Sequence, residues 1–146
     1  MIVGLGSDHG GFKLKEEVKK HLEERGIEYV DYGTHSEESV DYPDYGKKVG
    51  EAVVSGDCDK GIVICGTGIG ISVAANKVKG IICALCSDTY SARMTREHNN
   101  SNMLAMGERV LGVGLALDIV DSWLNTEFAG GRHAKRVEKI RAIEEN

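Results

Sequence analysis

One cysteine stands where a strand-like apolar run meets a glycine-rich loop. The segment 62–77 reads IVICGTGIGISVAANK, so Cys65 ends the run and Gly66, Gly68 and Gly70 follow it. A glycine loop that opens a helix gathers backbone N–H groups that can hold an anion, and a thiol there ionises more readily than a free thiol. The pattern therefore indicates either an anion site with a reactive thiol or a tight turn whose glycines serve packing alone.

Three familiar motifs are excluded by single positions in this loop. A dinucleotide fingerprint that begins at Gly66 needs a glycine at position 71, where Ile71 stands. A Walker loop needs Gly-Lys-Ser/Thr at its end, and none follows. A thiol phosphatase would place an arginine six residues after its nucleophile, and that position is again Ile71. We therefore do not expect Cys65 to attack phosphorus.

Two pairs of polar residues stand beside predicted helices. Asp8 and His9 directly follow the first apolar run, and His98 and Asn99 follow a helix predicted over residues 88–97. Taken alone, Asp8 is most simply a helix N-cap, and His98 is most simply part of the polar end of a helix. Neither pair by itself indicates a catalytic site.

An arginine pair near the C-terminus adds a second possible anion site. Arg132 and Arg136 are four positions apart, so on a helix both guanidinium groups project from one face. Such a pair either binds phosphate in a bidentate manner or forms a solvated basic surface. The thiol, the histidines of two other segments and this pair together indicate a small phosphorylated substrate that undergoes proton transfer.

The composition predicts an ordinary globular protein with a single domain over residues 1–146. Hydrophobic residues make up 41% and charged residues 28%, which argues against disorder. The net charge of −5 argues against sequence-independent nucleic-acid binding, and no apolar run reaches the ~20 residues of a membrane helix. Because the N-terminus also lacks the regions of a signal peptide, we expect a cytoplasmic protein with neither nucleic-acid nor membrane partners.

The four cysteines do not suggest a disulfide framework. Cys58, Cys65, Cys83 and Cys86 are few and irregularly spaced for a chain of this length. Cys83 and Cys86 form a C-x-x-C, but it lies in an apolar run and has no second pair or histidines at zinc spacing. This spacing favours structural cysteines over redox or metal chemistry, and we expect no metal site.

The elements that must position these residues alternate along the chain. After the first apolar run, Leu14, Val18 and Leu22 recur at helical spacing, and Gly26 marks the end of this predicted helix. Similar units of a strand followed by a helix recur along the chain. Five strand-like runs are separated in this way: IVGLGS, IEYVDY, GIVIC, ICALCS and NMLAM. This order predicts a three-layer, Rossmann-like α/β fold with a five-stranded parallel sheet. In such folds ligands bind where the strand-to-helix loops meet. The segment after Gly130 predicts one more helix, extending from the domain.

Several long motifs resemble the type B ribose-5-phosphate isomerases, with their galactose-6-phosphate and allose-6-phosphate isomerase relatives. The likeness runs nearly end to end and is carried by GSDHGG, DYPDY, ICGTGIGISVAANK, REHNNSN and GGRHAKRV. It implies interconversion of ribose 5-phosphate and ribulose 5-phosphate through a cis-enediolate, without a metal or organic cofactor. It also implies a homodimer with shared active sites, with a tetramer as a further option.

The resemblance implies roles for individual residues. Some family members carry a serine at the position of Cys65 and a glutamate elsewhere; here the cysteine is the base that moves a proton between C1 and C2. Thr67 passes a proton between the substrate oxygens or holds them, and His98 assists ring opening. The amides of the glycine loop face the enediolate oxygen, as in an oxyanion hole. The substrate-binding residues that the resemblance implies are Asp8, His9, Tyr42, Gly66, Gly68, Ile69, Gly70, Asn99, Arg109, Arg132 and Arg136.

Two other classes of function remain open. A non-catalytic sugar-phosphate-binding module would keep the arginine pair and lose the base, but Cys65, Thr67 and His98 are present together. A thiol-dependent redox protein would rely on Cys83 and Cys86. Among isomerases, five-carbon and six-carbon substrates differ by one hydroxymethyl unit, which the sequence does not distinguish.

Overall fold

The strand-like runs form one sheet. The structure is a computed structural model that describes residues 1–145, and its strands are β1 (Ile2–Ser7), β2 (Glu28–Asp31), β3 (Lys60–Cys65), β4 (Cys83–Leu85) and β5 (Met103–Gly107). Each neighbouring pair is parallel, and the strand order is β2-β1-β3-β5-β4. The predicted five-stranded parallel sheet is therefore confirmed, with β4 shorter than its apolar run.

Helices connect the strands in the predicted order. They are α1 (Phe12–Glu24), α2 (Tyr42–Ser55), α3 (Ile69–Asn76), α4 (Thr89–Asn99), α5 (Val113–Leu124) and α6 (Arg132–Ile143). A short 3₁₀ turn, His9–Gly11, precedes α1. Gly26 follows α1 with φ of +66°, a left-handed conformation that glycine adopts without steric cost. None of the helices within residues 1–145 is both long and apolar enough to cross a bilayer.

Two apolar cores lie on opposite faces of the sheet. On one face α1, α4 and α5 pack through residues that include Leu14, Ala92 and the fully buried Trp123. On the other face α2 and α3 pack through residues that include Val49 and Ile71. Both faces of the sheet are thus covered, as its uninterrupted apolar strands require.

The direction of the connections opens a crevice beside β3. Strand β3 lies between β1 and β5 in the sheet. The helix that follows β3 packs on one face, whereas α1 and α5, which follow β1 and β5, pack on the other. Loops that leave neighbouring parallel strands toward opposite faces separate at the carboxyl edge, where such folds bind ligands.

Helix α4 ends two residues later than the spacing predicts. It continues to Asn99, and Asn100 ends it in the left-handed region with φ of +50°. His98 and Asn99 therefore lie in the last helical turn, because a polar residue in the left-handed conformation, and not the polar run itself, terminates the helix.

The C-terminal helix lies against α4. Val137 is its buried residue, and the Gly80 N–H donates to the carboxylate of Glu144 at 3.1 Å. Gly80 precedes β4 and thus lies at the amino edge of the sheet. The C-terminal end of α6 is therefore held at the amino edge of the sheet.

Candidate active site

The loop between β3 and α3 holds a thiol against a backbone amide. The Gly68 N–H donates to Sγ of Cys65 at 3.1 Å, and Cys65 is 5% exposed. Gly68 has φ of +80°, and a Cβ there would lie 2.7 Å from the Met106 carbonyl carbon. The Ile69 N–H donates to Oγ1 of Thr67 at 3.2 Å. The first N–H groups of a helix have no carbonyl partner within it, so the start of α3 offers donors beside the thiol.

The loop after β1 packs directly on this strand end. A Cβ at Gly11 would lie 2.4 Å from the Ile64 carbonyl oxygen, so only glycine allows this approach. Oδ1 of Asp8 accepts the Gly11 N–H at 3.1 Å, and Asp8 therefore caps the 3₁₀ turn. The simpler interpretation of Asp8 as a cap is correct, although it uses only one carboxylate oxygen.

A backbone amide fixes the tautomer of the neutral His9 imidazole. The Val40 N–H donates to Nδ1 of His9 at 3.1 Å. Because Nδ1 accepts this bond, the ring proton of neutral His9 lies on Nε2. His9 thus presents an N–H donor from its Nε2 side.

Arg109 completes a polar cavity beside the thiol loop. Its backbone N–H donates to the Gly66 carbonyl at 3.0 Å, and its guanidinium lies over Gly66. The cavity has a volume of about 240 Å³ and is lined by His9, Gly10, Lys13, Glu37, Glu108 and Arg109. Two donors suited to phosphate, from the loops after β1 and β5, therefore line one cavity.

Tyr42 borders the other side of the thiol loop. Its ring packs on Gly70 so closely that a Cβ there would lie 2.6 Å from the ring carbons. A mainly apolar cavity of about 220 Å³ adjoins Thr67 and Ile69, and Leu85 contributes to its lining. The carboxyl edge thus collects the predicted residues Asp8, His9, Tyr42, Cys65, Gly66, Thr67, Gly68, Ile69, Gly70 and Arg109.

The remaining predicted residues lie at the opposite edge. Helix α4 begins at the carboxyl edge and runs back toward β5, so its last turn, with His98 and Asn99, lies at the amino edge. Arg132 and Arg136 begin α6, which packs on α4 there. A helix of eleven residues such as α4 is about 16 Å long. The fold of one chain therefore separates His98 from Cys65.

Two side chains near these groups were not predicted as site residues. The ring of His133 stacks on His98, with 15° between the ring planes. Glu108 lines the polar cavity and accepts the Leu14 N–H at 2.7 Å. Both contacts join segments distant in sequence, and no periodicity or motif relates such positions.

The C-x-x-C pair is poorly suited to thiol chemistry. Burial, with the neighbouring Cys86, raises the pKa of the Cys83 thiol to about 12. Burial, with the charge of Asp88, raises the pKa of Cys86 to about 11. Since the thiolate is the reactive form, these shifts favour the structural interpretation of the pair. Within residues 1–145, no three His, Cys, Asp or Glu side chains are grouped as metal ligands would be.

Comparison with known proteins identifies close relatives across the whole chain. A family model described as Ribose/Galactose Isomerase matches residues 3–140. Ribose-5-phosphate isomerase B of Escherichia coli is 54% identical over 143 residues, covering 98% of this chain and 96% of that protein. A ribose-5-phosphate isomerase B structure from Clostridium thermocellum is 65% identical, with a TM-score of 0.98 and coverage of 99% and 98% of the two chains. The isomerase from Mycoplasma genitalium, solved with bound ribulose-5-phosphate, is 38% identical with a TM-score of 0.94 and covers 99% of this chain and 97% of its own.

Proposed function

The chain belongs to the ribose/galactose isomerase family, and we propose that it interconverts ribose 5-phosphate and ribulose 5-phosphate without a cofactor. The observation that carries this proposal is the Gly68 amide aimed at Sγ of Cys65, beside a cavity lined by His9 and Arg109. A base and a phosphate site are the two parts that such an isomerisation needs.

Cys65 acts as the base in the proposed reaction. Its thiolate removes the proton from C2 of the open-chain aldose, the C2–H electron pair forms the C1=C2 bond, and the carbonyl oxygen on C1 becomes negatively charged. A proton then moves from the oxygen on C2 to the oxygen on C1, with the Thr67 hydroxyl as carrier or holder. The thiol finally returns its proton to C1, which gives the ketose and regenerates the thiolate.

The start of α3 stabilises the charge that develops in this step. The amides of Gly70 and its neighbours in the first turn have no carbonyl partner within the helix. Backbone N–H groups aimed at a developing oxyanion typically contribute about 10²–10³-fold in rate. The Gly68 amide instead donates its hydrogen bond to the sulfur of Cys65.

Ring opening and phosphate binding use the other predicted residues. His98 transfers the proton to or from the ring oxygen, and Asp8 and Asn99 bind hydroxyl groups. His9 donates from Nε2 to the phosphate, an orientation supported by the Val40 N–H at Nδ1. The guanidinium groups on the same phosphate come from Arg109, Arg132 and Arg136.

The proposed active site is shared between two copies of the chain. Because His98 and Cys65 lie at opposite edges of the sheet, one chain alone cannot bring them to the same substrate. A two-fold dimer solves this by pairing the carboxyl edge of each copy with the amino edge of the other. The exposed apolar residues Ile69, Val73, Leu85 and Tyr90, on and beside the edge strand β4, are suited to such a contact.

An assay of candidate substrates tests the proposed function. Ribose 5-phosphate, allose 6-phosphate and galactose 6-phosphate are offered side by side, and we expect turnover to be fastest with ribose 5-phosphate. Cys65→Ala should retain the fold and lose about 10²–10⁴-fold in rate, as expected for a general base. Cys58→Ala is the matched control, because that buried thiol lies beside Tyr32, away from the loop. A loss below tenfold in Cys65→Ala contradicts the assignment, and faster turnover of a six-carbon substrate reassigns the specificity.

A further inference from the structure

One acidic residue, Glu108, connects three of the loops at the carboxyl edge. Oε1 of Glu108 accepts the Leu14 N–H at 2.7 Å, across 94 positions of sequence. The Glu108 N–H donates to the Cys65 carbonyl at 3.0 Å, and the next amide, of Arg109, donates to the Gly66 carbonyl at 3.0 Å. Glu108 is thus bonded to the start of α1 by its side chain and to the thiol loop by its backbone.

The side-chain bond supplies a cap that α1 does not have locally. Gly11 occupies the N-cap position and offers no side-chain acceptor. Leu14 is the third residue of the helix, so its N–H is one of the groups that an N-cap usually satisfies. A carboxylate at this end also interacts favourably with the helix dipole.

The location of the cap is unexpected for an anion site. Glu108 lines the same polar cavity as His9 and Arg109, where its negative charge opposes a bound phosphate. Helix stability alone would be served by a cap from any neighbouring segment. The cap from Glu108 differs because it connects the segments that carry the two phosphate-binding candidates. Glu108 holds the start of α1, directly after the turn that carries His9, and Arg109 is the next residue after Glu108.

We propose that Glu108 is a positioning residue that fixes the separation of His9 and Arg109 for binding of the substrate phosphate. This inference rests on the proposed function, which assigns these two residues to the phosphate. It predicts that the carboxylate acts through its hydrogen-bond acceptor and not through its charge. Glu108→Gln keeps an acceptor oxygen, whereas Glu108→Ala removes it.

Steady-state kinetics distinguish positioning from stability. We expect Glu108→Ala to raise KM for ribose 5-phosphate about tenfold with kcat within about twofold, because phosphate contacts are shared by substrate and transition state. Glu108→Gln should keep kcat within about twofold of the wild type and should not raise KM, because it keeps the acceptor and removes only the charge that opposes phosphate. Glu17→Ala is the control, since Glu17 also lies on α1 but pairs with Lys20 at the surface. A wild-type KM in folded Glu108→Ala, or equal impairment in Glu108→Gln, overturns the proposal.

A binding measurement separates this proposal from the isomerase assignment. Inorganic phosphate is titrated into the wild type and the same variants, and side-chain NMR signals of His9 and Arg109 report its binding. We expect weaker phosphate binding in Glu108→Ala alone, an outcome that does not depend on turnover. Equal phosphate affinity in all variants overturns the positioning role and leaves the isomerase proposal intact. An inactive wild type whose phosphate binding is weakened only by Glu108→Ala overturns the isomerase proposal and supports the positioning role.

Discussion

The rings of His98 and His133 stack with their centroids 4.2 Å apart, which joins the last turn of α4 to the first turn of α6. Partial burial and the positive charges of His98, Arg132 and Arg136 lower the pKa of His133, while Glu97 acts in the opposite direction. His133 therefore stays neutral at a pH where an ordinary histidine takes up a proton.

Removal of a positive neighbour and removal of a negative neighbour should shift the pKa of His133 in opposite directions. Arg136→Gln removes a positive charge and should raise the pKa of His133, whereas Glu97→Gln removes a negative charge and should lower it. NMR of the ring protons across pH 4–8 measures both midpoints. A native midpoint at or above the usual value of about 6.5 contradicts the lowered pKa.

The lowered pKa of His133 also reduces the stability of the folded chain in acid. The unfolded chain binds a proton at His133 at about pH 6.5, but the native state does so only at lower pH. Because the unfolded state then binds more protons, this residue makes the free energy of unfolding fall as the pH drops below about 6.5. Above that pH it has no effect. Denaturation curves at pH 7.5 and 5.0 should therefore differ less in Arg136→Gln than in the wild type.

Alkylation should distinguish Cys65 from the C-x-x-C pair. Cys65 is as buried as the strand cysteines, yet only its sulfur receives the Gly68 N–H, while the pKa values of Cys83 and Cys86 are raised to about 12 and 11. Iodoacetamide at neutral pH should therefore modify Cys65 first, and ribose 5-phosphate should slow the reaction. Peptide mass spectrometry assigns each site. Earlier labelling of Cys83 or Cys86, or a disulfide between them, would instead favour redox chemistry.

The sequence predicts the fold because local signals and the global order agree. The apolar strand that ends at Cys65, the left-handed stop at Gly26 and the helical face with Leu14 each follow from short-range spacing. The carboxyl-edge residues could be grouped before the structure was known, since parallel strands bring their loops to one edge.

Other features depend on contacts that spacing does not encode. Helix α4 continues to Asn99 because Asn100 adopts the left-handed conformation, which the sequence allows but does not require. The stack of His98 on His133 and the bond from Leu14 to Glu108 join segments whose positions are fixed only by packing of the whole chain. The family resemblance already implied active sites shared between subunits, but the stack that holds His98 against His133 at the amino edge could not be derived from spacing.

Gly11 should be intolerant of even one methyl group. A Cβ there would lie 2.4 Å from the Ile64 carbonyl oxygen, so Gly11→Ala must displace backbone and should lower the free energy of unfolding by about 1–3 kcal/mol. Gly114→Ala is the control, because nothing lies within 4 Å and α5 should gain up to about 1 kcal/mol. Urea denaturation followed by circular dichroism measures both. Equal stability of the two variants would contradict the tight packing of this loop on β3.

Mixed dimers test whether each active site combines two copies of the chain. Cys65→Ala and His98→Asn should each be inactive alone, because every site of either homodimer lacks one group. When the two variants are unfolded together and refolded, a mixed dimer has one site with both lesions and one site with neither. With random pairing about half of the dimers are mixed and half of their sites are intact, so activity should recover to roughly a quarter of the wild type. Each variant refolded alone is the control. If native mass spectrometry detects mixed dimers but activity does not return, Cys65 and His98 do not form a shared site, and the two edges of the sheet act on different ligands.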